Sequence, residues 1–389
     1  ASYHKGRRFI QRCKREGCRV YLLTITPLLN EPWPRDQLDD VFALPTFSDR
    51  RGLLNSVSYL ARTRQFDRVI ALDDFDVETA AAVREHFRLP GMTESHARLF
   101  RDKLAMRVRA EQLGIHVPAF TGIFQHDKVR GFLETVPPPW LLKPRSEASA
   151  AGIRKFERAD DVWREIDRLG DMQSFYLIEQ FVPGELFHVD SLVQDGKVIF
   201  AEVNGYVRPL LDVYQKGGIY ATRTMPIHRP EVGELTEINE LVLTGFGLER
   251  GASHTEFMHS KADGKIYFIE TSARVGGSNT AEMVESATGV NLWEEWAALE
   301  IAGPHGHYKL PETFRRYGGV VCSLTRQEWP DSSPFTDPEI VYRLKMRQHI
   351  GLVVCSDSSE RVEQLLADYT QRIARDYLAV LPPADKVSH

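Results

Sequence analysis

The chain has 389 residues, 42% of them hydrophobic and 26% charged, with a formal net charge of −5. That length exceeds one compact core, so two or three domains or subdomains of an ordinary soluble protein are expected. The acidic balance, with no long Lys/Arg block, excludes a general nucleic-acid binder, and no run reaches the roughly 18 apolar residues of a membrane span.

Residues 4–16 read as an amphipathic helix with Phe9, Ile10 and Cys13 on one face, stopped by Gly17. A parallel α/β layer normally opens with a strand, so the first strand is expected to be cut short, or to leave Ala1 as its tail. Strands are predicted at 20–25, 41–44 and 68–72, and helices at 51–63 and 76–87. The alternation describes a small open parallel α/β domain over residues 1–90, ended by Leu89-Pro-Gly91. Two helical stretches follow at 94–103 and 104–113, closed by Gly114 and Pro118. Residues 119 to about 190 change character. Short strands flank Pro137-Pro-Pro-Trp140, a strand over 141–143 leads into a small-residue loop, and a strand at 153–156, a helix at 159–169 and a strand at 175–181 follow. A hairpin over 186–203 turns at Asp195-Gly196, a helix covers 231–246, and a second hairpin covers 253–270. A helix over 282–301 is broken near Gly289. Residues 305–389 form a small C-terminal α/β extension, with strands near 318–325 and 351–355 and a helix at 358–377. The cysteines, Cys13, Cys18, Cys322 and Cys355, form no metal spacing and read as reduced residues of a cytoplasmic protein.

The chemistry concentrates late in the chain. Gly251-Ala-Ser-His-Thr-Glu-Phe257 and Phe268-Ile-Glu-Thr-Ser-Ala-Arg-Val-Gly-Gly277 are apolar strands, each carrying a carboxylate, Glu256 and Glu270. Two acids side by side repel unless a cation lies between them, so the pair reads as a site for a hard cation. Strand alternation sets a condition: a two-residue turn at Asp263-Gly264 would put the acids on opposite faces. A five-residue loop over 261–265, or a three-residue one, would put them on one face. Arg274, four residues after Glu270, suits a phosphoryl or carboxylate group. Lys143 ends a strand before the small-residue loop 146–152, whose backbone N–H groups can hold phosphate oxygens, although no GxxxxGK[ST] motif is present. Tyr176-Leu-Ile-Glu-Gln-Phe-Val-Pro-Gly184 is a strand whose edge and Glu179 can meet an adenine. Lys103 lies in the helical stretch after residue 94. Taken singly, each of these is more often a solvated strand-end or helix charge.

In this order the pieces resemble the ATP-grasp superfamily over roughly residues 1–300. The matching stretches are Asp102-Lys-Leu-Ala-Met106 with Gly114-Ile-His-Val-Pro118, Lys143-Pro144, Glu179-Gln-Phe-Val-Pro-Gly184, His254-Thr-Glu-Phe257 and Glu270-Thr-Ser-Ala-Arg-Val-Gly-Gly277. The resemblance implies an ATP-grasp fold: a preceding α/β domain over 1–90, an ATP-grasp domain over 91–304 whose catalytic half is α+β and whose lid spans 120–185, and the extension 305–389. It implies that Lys103 and Lys143 hold ATP phosphates while the loop 146–152, with Ser149 and Gly152, closes over them. Glu179 and the backbone of Phe181 and Val182 would read the adenine. Glu256 and Glu270 would hold Mg²⁺, with Mn²⁺ as an alternative, and Arg274 would stabilise an acyl-phosphate. Two departures stand out. The family often has Asn as a metal ligand where Ser272 stands here, and it often has a ribose-binding acid where Leu186 stands. Glu185 or His188 is the substitute, with Asp190 as the matching last acid. His254 faces the same side as Glu256 and either orients a substrate or acts as a base, unless it is an ordinary hydrogen-bonded strand histidine.

The resemblance is strongest to carboxylate–amine ligases that join L-amino acids. It implies an ADP-forming ligase acting through an acyl-phosphate on small-molecule carboxylate and amine substrates. Neither nucleic acid nor membrane is expected as a partner, and a homodimer is the expected assembly. Arg208, Lys216 and Arg223 are expected at the substrate carboxylate, with Gly276, Gly277 and Ser278 supplying donors. The alternatives are a biotin-carboxylase-like enzyme that activates bicarbonate and a nucleotide-binding protein without turnover.

Overall fold

The computed structural model describes residues 1–380 except 149, 212, 214–216 and 305. The N-terminal unit contains α1 (Arg7–Arg15), β1 (Tyr21–Ile25), β2 (Asp40–Leu44), α2 (Arg50–Ala61) and α3 (Val77–Phe87). β1 and β2 pair in parallel from Tyr21↔Asp40 to Ile25↔Leu44. The expected strand at 68–72 is not part of this sheet. Its apolar side chains still pack, Leu72 among the residues around α1, so the run reflects burial without a ladder. Asp73 ends the run, and its side chain caps a 3₁₀ turn at Asp74–Asp76 by accepting from Phe75 N at 3.2 Å. α4 (Glu94–Arg98) and α5 (Lys103–Gln112) lead out of the unit.

The segment expected to act as a lid, called the lid below, contains β3 (Phe120–Gly122), α6 (His126–Thr135), β4 (Trp140–Pro144), β5 (Arg154–Phe156), α7 (Ala159–Leu169) and β6 (Tyr176–Gln180). Its antiparallel sheet runs β3-β6-β4-β5. Val129 and Phe132 of α6 and Val162 and Ile166 of α7 bury against Trp140, Leu142 and Ile178, giving the lid its own core.

The remaining elements are β7 (Gly184–Gln194), β8 (Lys197–Tyr206), β9 (Tyr220–Thr224), α8 (Pro230–Gly245), β10 (Gly251–Ser260), β11 (Ile266–Ser272), α9 (Thr280–Thr288), α10 (Leu292–Ala302), β12 (Tyr317–Leu324), β13 (Ile340–Arg343), β14 (His349–Ser356) and α11 (Ser359–Asp376). They form one antiparallel eight-stranded sheet in the order β11-β10-β7-β8-β9-β12-β14-β13. The β7–β8 hairpin turns at Asp195-Gly196, as expected, with φ of 50° and 74°. Two positive φ values in succession suit the twist of a two-residue hairpin and favour Asp-Gly. Gly289 takes φ 84° and separates α9 from α10, which Asn291 caps by accepting from Trp293 N and Glu294 N, each at 3.1 Å. The C-terminal segment continues the central sheet, because β12 pairs with β9.

One face of this sheet buries Phe187, Val189, Phe257 and Phe268 against Met106 of α5 and Leu235 and Val242 of α8. Each fully buried phenylalanine contributes about 2 kcal/mol. On the other face Leu192 and Ala252 are covered by α10, which in turn holds α1 through Phe9 and Trp296, 5.2 Å apart. Arg8 reinforces that contact with Glu285 at 2.8 Å and Glu294 at 2.7 Å. Farther along the same face, toward Glu256, the sheet opens into a cleft beneath the lid. Among the described residues no helix is long and apolar enough to cross a membrane.

Candidate active site

The cleft encloses about 890 Å³ and is lined from the N-terminal unit, the lid and the sheet. At its floor Glu256 lies directly opposite Glu270 across β10 and β11, so both carboxylates rise from one face. The parity reaches this result by a route the sequence did not reveal. The loop is neither of the expected odd lengths: Ser260 N bonds to Lys265 O at 2.8 Å and His259 pairs with Ile266, leaving the four residues 261–264 between them. That even loop alone would set Glu256 against Ile269. A bulge supplies the odd residue, because Phe257 pairs with Phe268 while Glu256 pairs with Glu270. The carbonyl of the bulged Ile269 accepts from Arg107, a fully buried arginine of α5.

Arg107 also donates to Glu179 Oε2 from Nη2 at 2.8 Å and from Nε at 3.1 Å. Lys143 takes the other oxygen of Glu179. Burial would raise the Glu179 carboxyl, but Arg107 and Lys143 prevail and hold it below the usual range. Glu179 is therefore already committed to two cations, which changes its expected part in adenine recognition. Phe181 and Val182 line the cleft, but Phe181 spends its own N–H on Pro139 O at 2.9 Å. Lys155 sits over the Phe181 ring at 4.0 Å. Lys103, the first residue of α5, reaches Glu270 Oε2 at 3.0 Å and the carbonyl of Glu147 at 2.6 Å. The lid loop thus rests on Lys103 through Glu147, and Arg101 donates to the Ser146 carbonyl beside it. Gly152 follows in this loop with φ 68°, and Ser149 lies outside the described residues.

Beneath Glu256 is a buried polar network. Tyr206 donates to Glu256 Oε1 at 2.7 Å, and His254 Nε2 lies 3.7 Å from the same oxygen. His254 Nδ1 meets Asp190 Oδ1 at 2.8 Å, and His188 Nδ1 meets Asp190 Oδ2 at 2.7 Å. Asn204 donates to Asp190 Oδ2 at 2.9 Å, and His188 Nε2 pairs with Thr222 Oγ1 at 2.8 Å. Burial would push the His254 imidazole down, but Asp190 and Glu256 override it and raise it to about 9. Burial likewise opposes ionisation of Asp190, and the two imidazoles hold it well below the carboxylate range. One ligand atom from each of His188, Asp190 and His254 lies within 4.8 Å of the others, a spacing short enough for a metal, yet direct hydrogen bonds fill it. Gly276 is required here, since a Cβ would fall 2.7 Å from Asp190 Oδ1 and 2.9 Å from His254 Nδ1.

Arg274 lines the cleft and is bound to Asp74 of the N-terminal unit, with Nε at 2.8 Å and Nη2 at 2.5 Å from Oδ2. Burial would lower the guanidinium, but Asp74 holds it charged and is itself held well below its ordinary value. Ser272, Gly277 and Ser278 also line the cleft, Ser272 on the same face as Glu270.

Four expectations differ. Glu185 points to the opposite face from Leu186, toward Arg229 at 3.7 Å, because adjacent strand residues alternate. His188 faces the correct side but is wholly buried under Tyr206 and His254, with ring centroids 4.7 and 4.8 Å away. Neither residue lines the cleft. Arg208 and Arg223 line a smaller cavity of about 470 Å³, where Arg223 pairs with Glu363 at 2.7 Å. The structure does not bring them to the cleft, and Lys216 lies outside the described residues. Sequence reasoning also missed Asp74, Arg107 and Tyr206. Arg107 stands four residues after Lys103, on the same helix face, and Asp74 follows the apolar run 69–72, so both had local signals. Tyr206 had none.

The donor set fits a hard divalent cation: two facing carboxylates with an adjacent serine hydroxyl, and a tyrosine that fixes one carboxylate. Lys103, Lys143, Lys155 and Arg274 around them fit an anionic partner.

The profile of the ATP-grasp domain family matches residues 136–282. An L-arginine-specific L-amino acid ligase from Bacillus subtilis is 22% identical over 385 residues, covering 92% of each chain. A D-alanine–D-alanine ligase from Prosthecochloris aestuarii is 29% identical over 207 residues, which are 49% of this chain and 56% of that one. The crystal structure of an L-amino acid ligase from Bacillus licheniformis superposes with a TM-score of 0.71 at 19% identity, covering 92% of this chain and 93% of that one. Fold, motif order and similarity along most of the chain agree: residues 136–282 match the ATP-grasp domain, the fold is that of the ATP-grasp enzymes, and the chain as a whole resembles the L-amino acid ligases.

Proposed function

We propose that the protein is an ADP-forming carboxylate–amine ligase that joins two amino acids, or an amino acid and another amine, through an acyl-phosphate. The observation that carries this reading is the direct opposition of Glu256 and Glu270 on the cleft floor, with Lys103 bonded to Glu270. Glu256, Glu270 and Ser272 hold Mg²⁺, or Mn²⁺ in its place, and the cation neutralises phosphate charge when bound. Lys103 and Lys143 exchange their present carboxylate partners for phosphate oxygens, and the loop 146–152 follows Lys103 over the nucleotide. Phe181 and Val182 flank the base at the edge of β6. A substrate carboxylate oxygen attacks the γ-phosphorus and ADP departs. The amine then attacks the acyl carbon, phosphate departs, and the amine loses its proton. Arg274, clamped by Asp74, stays charged beside the transferring group, and a planar donor fixed in advance stabilises the charge that develops there. His254, whose Nε2 lies 3.7 Å from Glu256 Oε1 in the cleft lining, orients the incoming group. Gly276 lets the chain pass close to Asp190, and Gly277 and Ser278 carry the donors of this turn to the substrate.

The test is phosphate release from Mg-ATP against amino acids offered singly and in pairs, with mass analysis of the product. Turnover that needs a pair and yields a condensed product supports the reading. Turnover with bicarbonate alone, or nucleotide binding with no turnover under any pair, overturns it.

A further inference from the structure

The cleft extends well past the two acids. The pairings keep one face in view across the sheet: Glu256 lies opposite His188, His188 opposite Asn204, and Tyr206 opposite Thr222. Tyr220 lies opposite Cys322, and Leu324, two residues on, lies opposite His349. Tyr206, Tyr220 and His349 all line the same cavity as Glu256 and Glu270. The cleft therefore has a phosphate end on β10 and β11 and a far end on β8, β9 and β14. Leu210, Leu211 and Ser278 also line the cavity, and Ser278 meets Cys322, the partner of Tyr220 across the sheet.

The far end is apolar and aromatic. The Tyr206 and Tyr220 rings meet edge-on with centroids 5.8 Å apart, and the half-buried Leu210 and Leu211 line the same cavity. Its polar groups are hydroxyls and the His349 imidazole, which meets the Arg347 carbonyl through Nδ1 at 2.8 Å. The carboxylates among the described lining residues are committed elsewhere. Asp73 pairs with Lys5, Asp74 with Arg274, Glu179 with Lys143 and Arg107, Glu256 with Tyr206 and Glu270 with Lys103. Glu147 belongs to the lid loop, at the Lys103 end.

Resting on the ligase reading above, we infer that this far end selects a substrate amino acid with an apolar or aromatic side chain and rejects one with a guanidinium. The named specificity of the Bacillus subtilis relative would then not extend to this chain. A guanidinium placed here would leave water without an uncommitted carboxylate among the described lining residues to meet it, and an unpaired charge in such a pocket is strongly disfavoured. Among apolar side chains discrimination is expected to be modest, since one methylene changes binding little.

The experiment is amino-acid-dependent phosphate release with Mg-ATP, with each candidate varied against a fixed panel of second amino acids. Phenylalanine, leucine, methionine or tyrosine should support turnover, with kcat/KM for arginine lower by about a hundredfold or more. Leu211→Asp should move the preference toward arginine and lysine. Tyr220→Ala should raise KM for the apolar amino acid while KM for ATP stays unchanged, and Tyr220→Phe should keep the preference. ATP affinity measured on each variant separates a misfolded protein from a changed pocket. Arginine turned over by the wild type as well as phenylalanine overturns the inference and leaves the ligase reading intact. No phosphate release with any pair overturns the ligase reading itself, and this inference with it.

Discussion

At the scale of single residues, the site depends on charges that are fixed before any ligand arrives. Tyr206 is the clearest case. Its hydroxyl donates to Glu256 at 2.7 Å from a half-buried position, and desolvation next to that carboxylate pushes its own ionisation well up, so it remains a donor. Tyr206→Phe removes that bond while leaving the ring on His188 and Tyr220. The expected result is a rise in the Mg²⁺ concentration needed for half-maximal turnover and for thermal stabilisation by Mg-ATP. The metal-free melting temperature should change little. A variant indistinguishable from wild type in both Mg²⁺ titrations would show that Glu256 needs no such support. Glu202 offers a second test, on β8 opposite Asp190. Burial raises its carboxyl from 4.5 to about 7 even though Arg315 opposes the shift from 2.5 Å. The folded state thus holds this proton more tightly than the unfolded chain does. The stabilisation is complete below about pH 4.5 and is lost as pH rises through about 7, an effect of about 3 kcal/mol. Glu202→Gln should flatten the fall in unfolding free energy between pH 5 and 7, measured by denaturant titration. An unchanged slope would assign the proton elsewhere.

At the scale of elements, the hairpin β10–β11 shows what the sequence could and could not disclose. Apolar alternation located both strands, and the need for two acids on one face identified Glu256 and Glu270 as a pair. The bulge stayed hidden, because its cause is a tertiary contact: Arg107, on a helix that starts 167 residues before Glu270, binds the Ile269 carbonyl. Strand parity also explains the failure at Glu185, where counting from a motif placed a charge near the ribose and the pleat turned it away. Arg208 and Arg223 are expected at the substrate carboxylate, whereas Arg223 lies in β9 and is bound to Glu363 of α11. The turn after β11 was read as a source of donors, and its first glycine has a second duty. Gly276 leaves room for Asp190 and His254, so Gly276→Ala must displace one of two buried hydrogen-bonded groups. The substitution should destabilise by about 1–3 kcal/mol and shift the His254 imidazole resonances in an NMR titration. Wild-type resonances at full stability would mean that the turn yields without disturbing the network.

At the scale of the molecule, the N-terminal unit and the sheet are joined by a contact that also belongs to the cleft. Asp74 and Arg274 are 200 positions apart, and both are largely removed from solvent. The order of most helices and strands along the chain was legible, because each carries its own periodicity and its own stop signals. The clasp between them was not, since an acid in one unit and an arginine in another share no sequence spacing. The clasp permits two accounts of Arg274, as a structural tie or as the group that meets the transferring phosphoryl, and two variants separate them. Asp74→Asn removes the counter-charge of a buried guanidinium and should lower the unfolding free energy by about 3 kcal/mol. Arg274→Lys keeps the charge and loses the planar fork. If Arg274 acts in the transition state, the lysine variant should lower kcat by about tenfold to a thousandfold while nucleotide affinity changes little. Asp74→Asn should then retain more turnover than Arg274→Lys despite its lower stability, because the arginine is still present. Single-turnover product formation, nucleotide titration and denaturant unfolding on both variants give the comparison. Full turnover by Arg274→Lys would reduce Arg274 to a clasp between the two units and remove from the proposed mechanism the group that meets the developing charge.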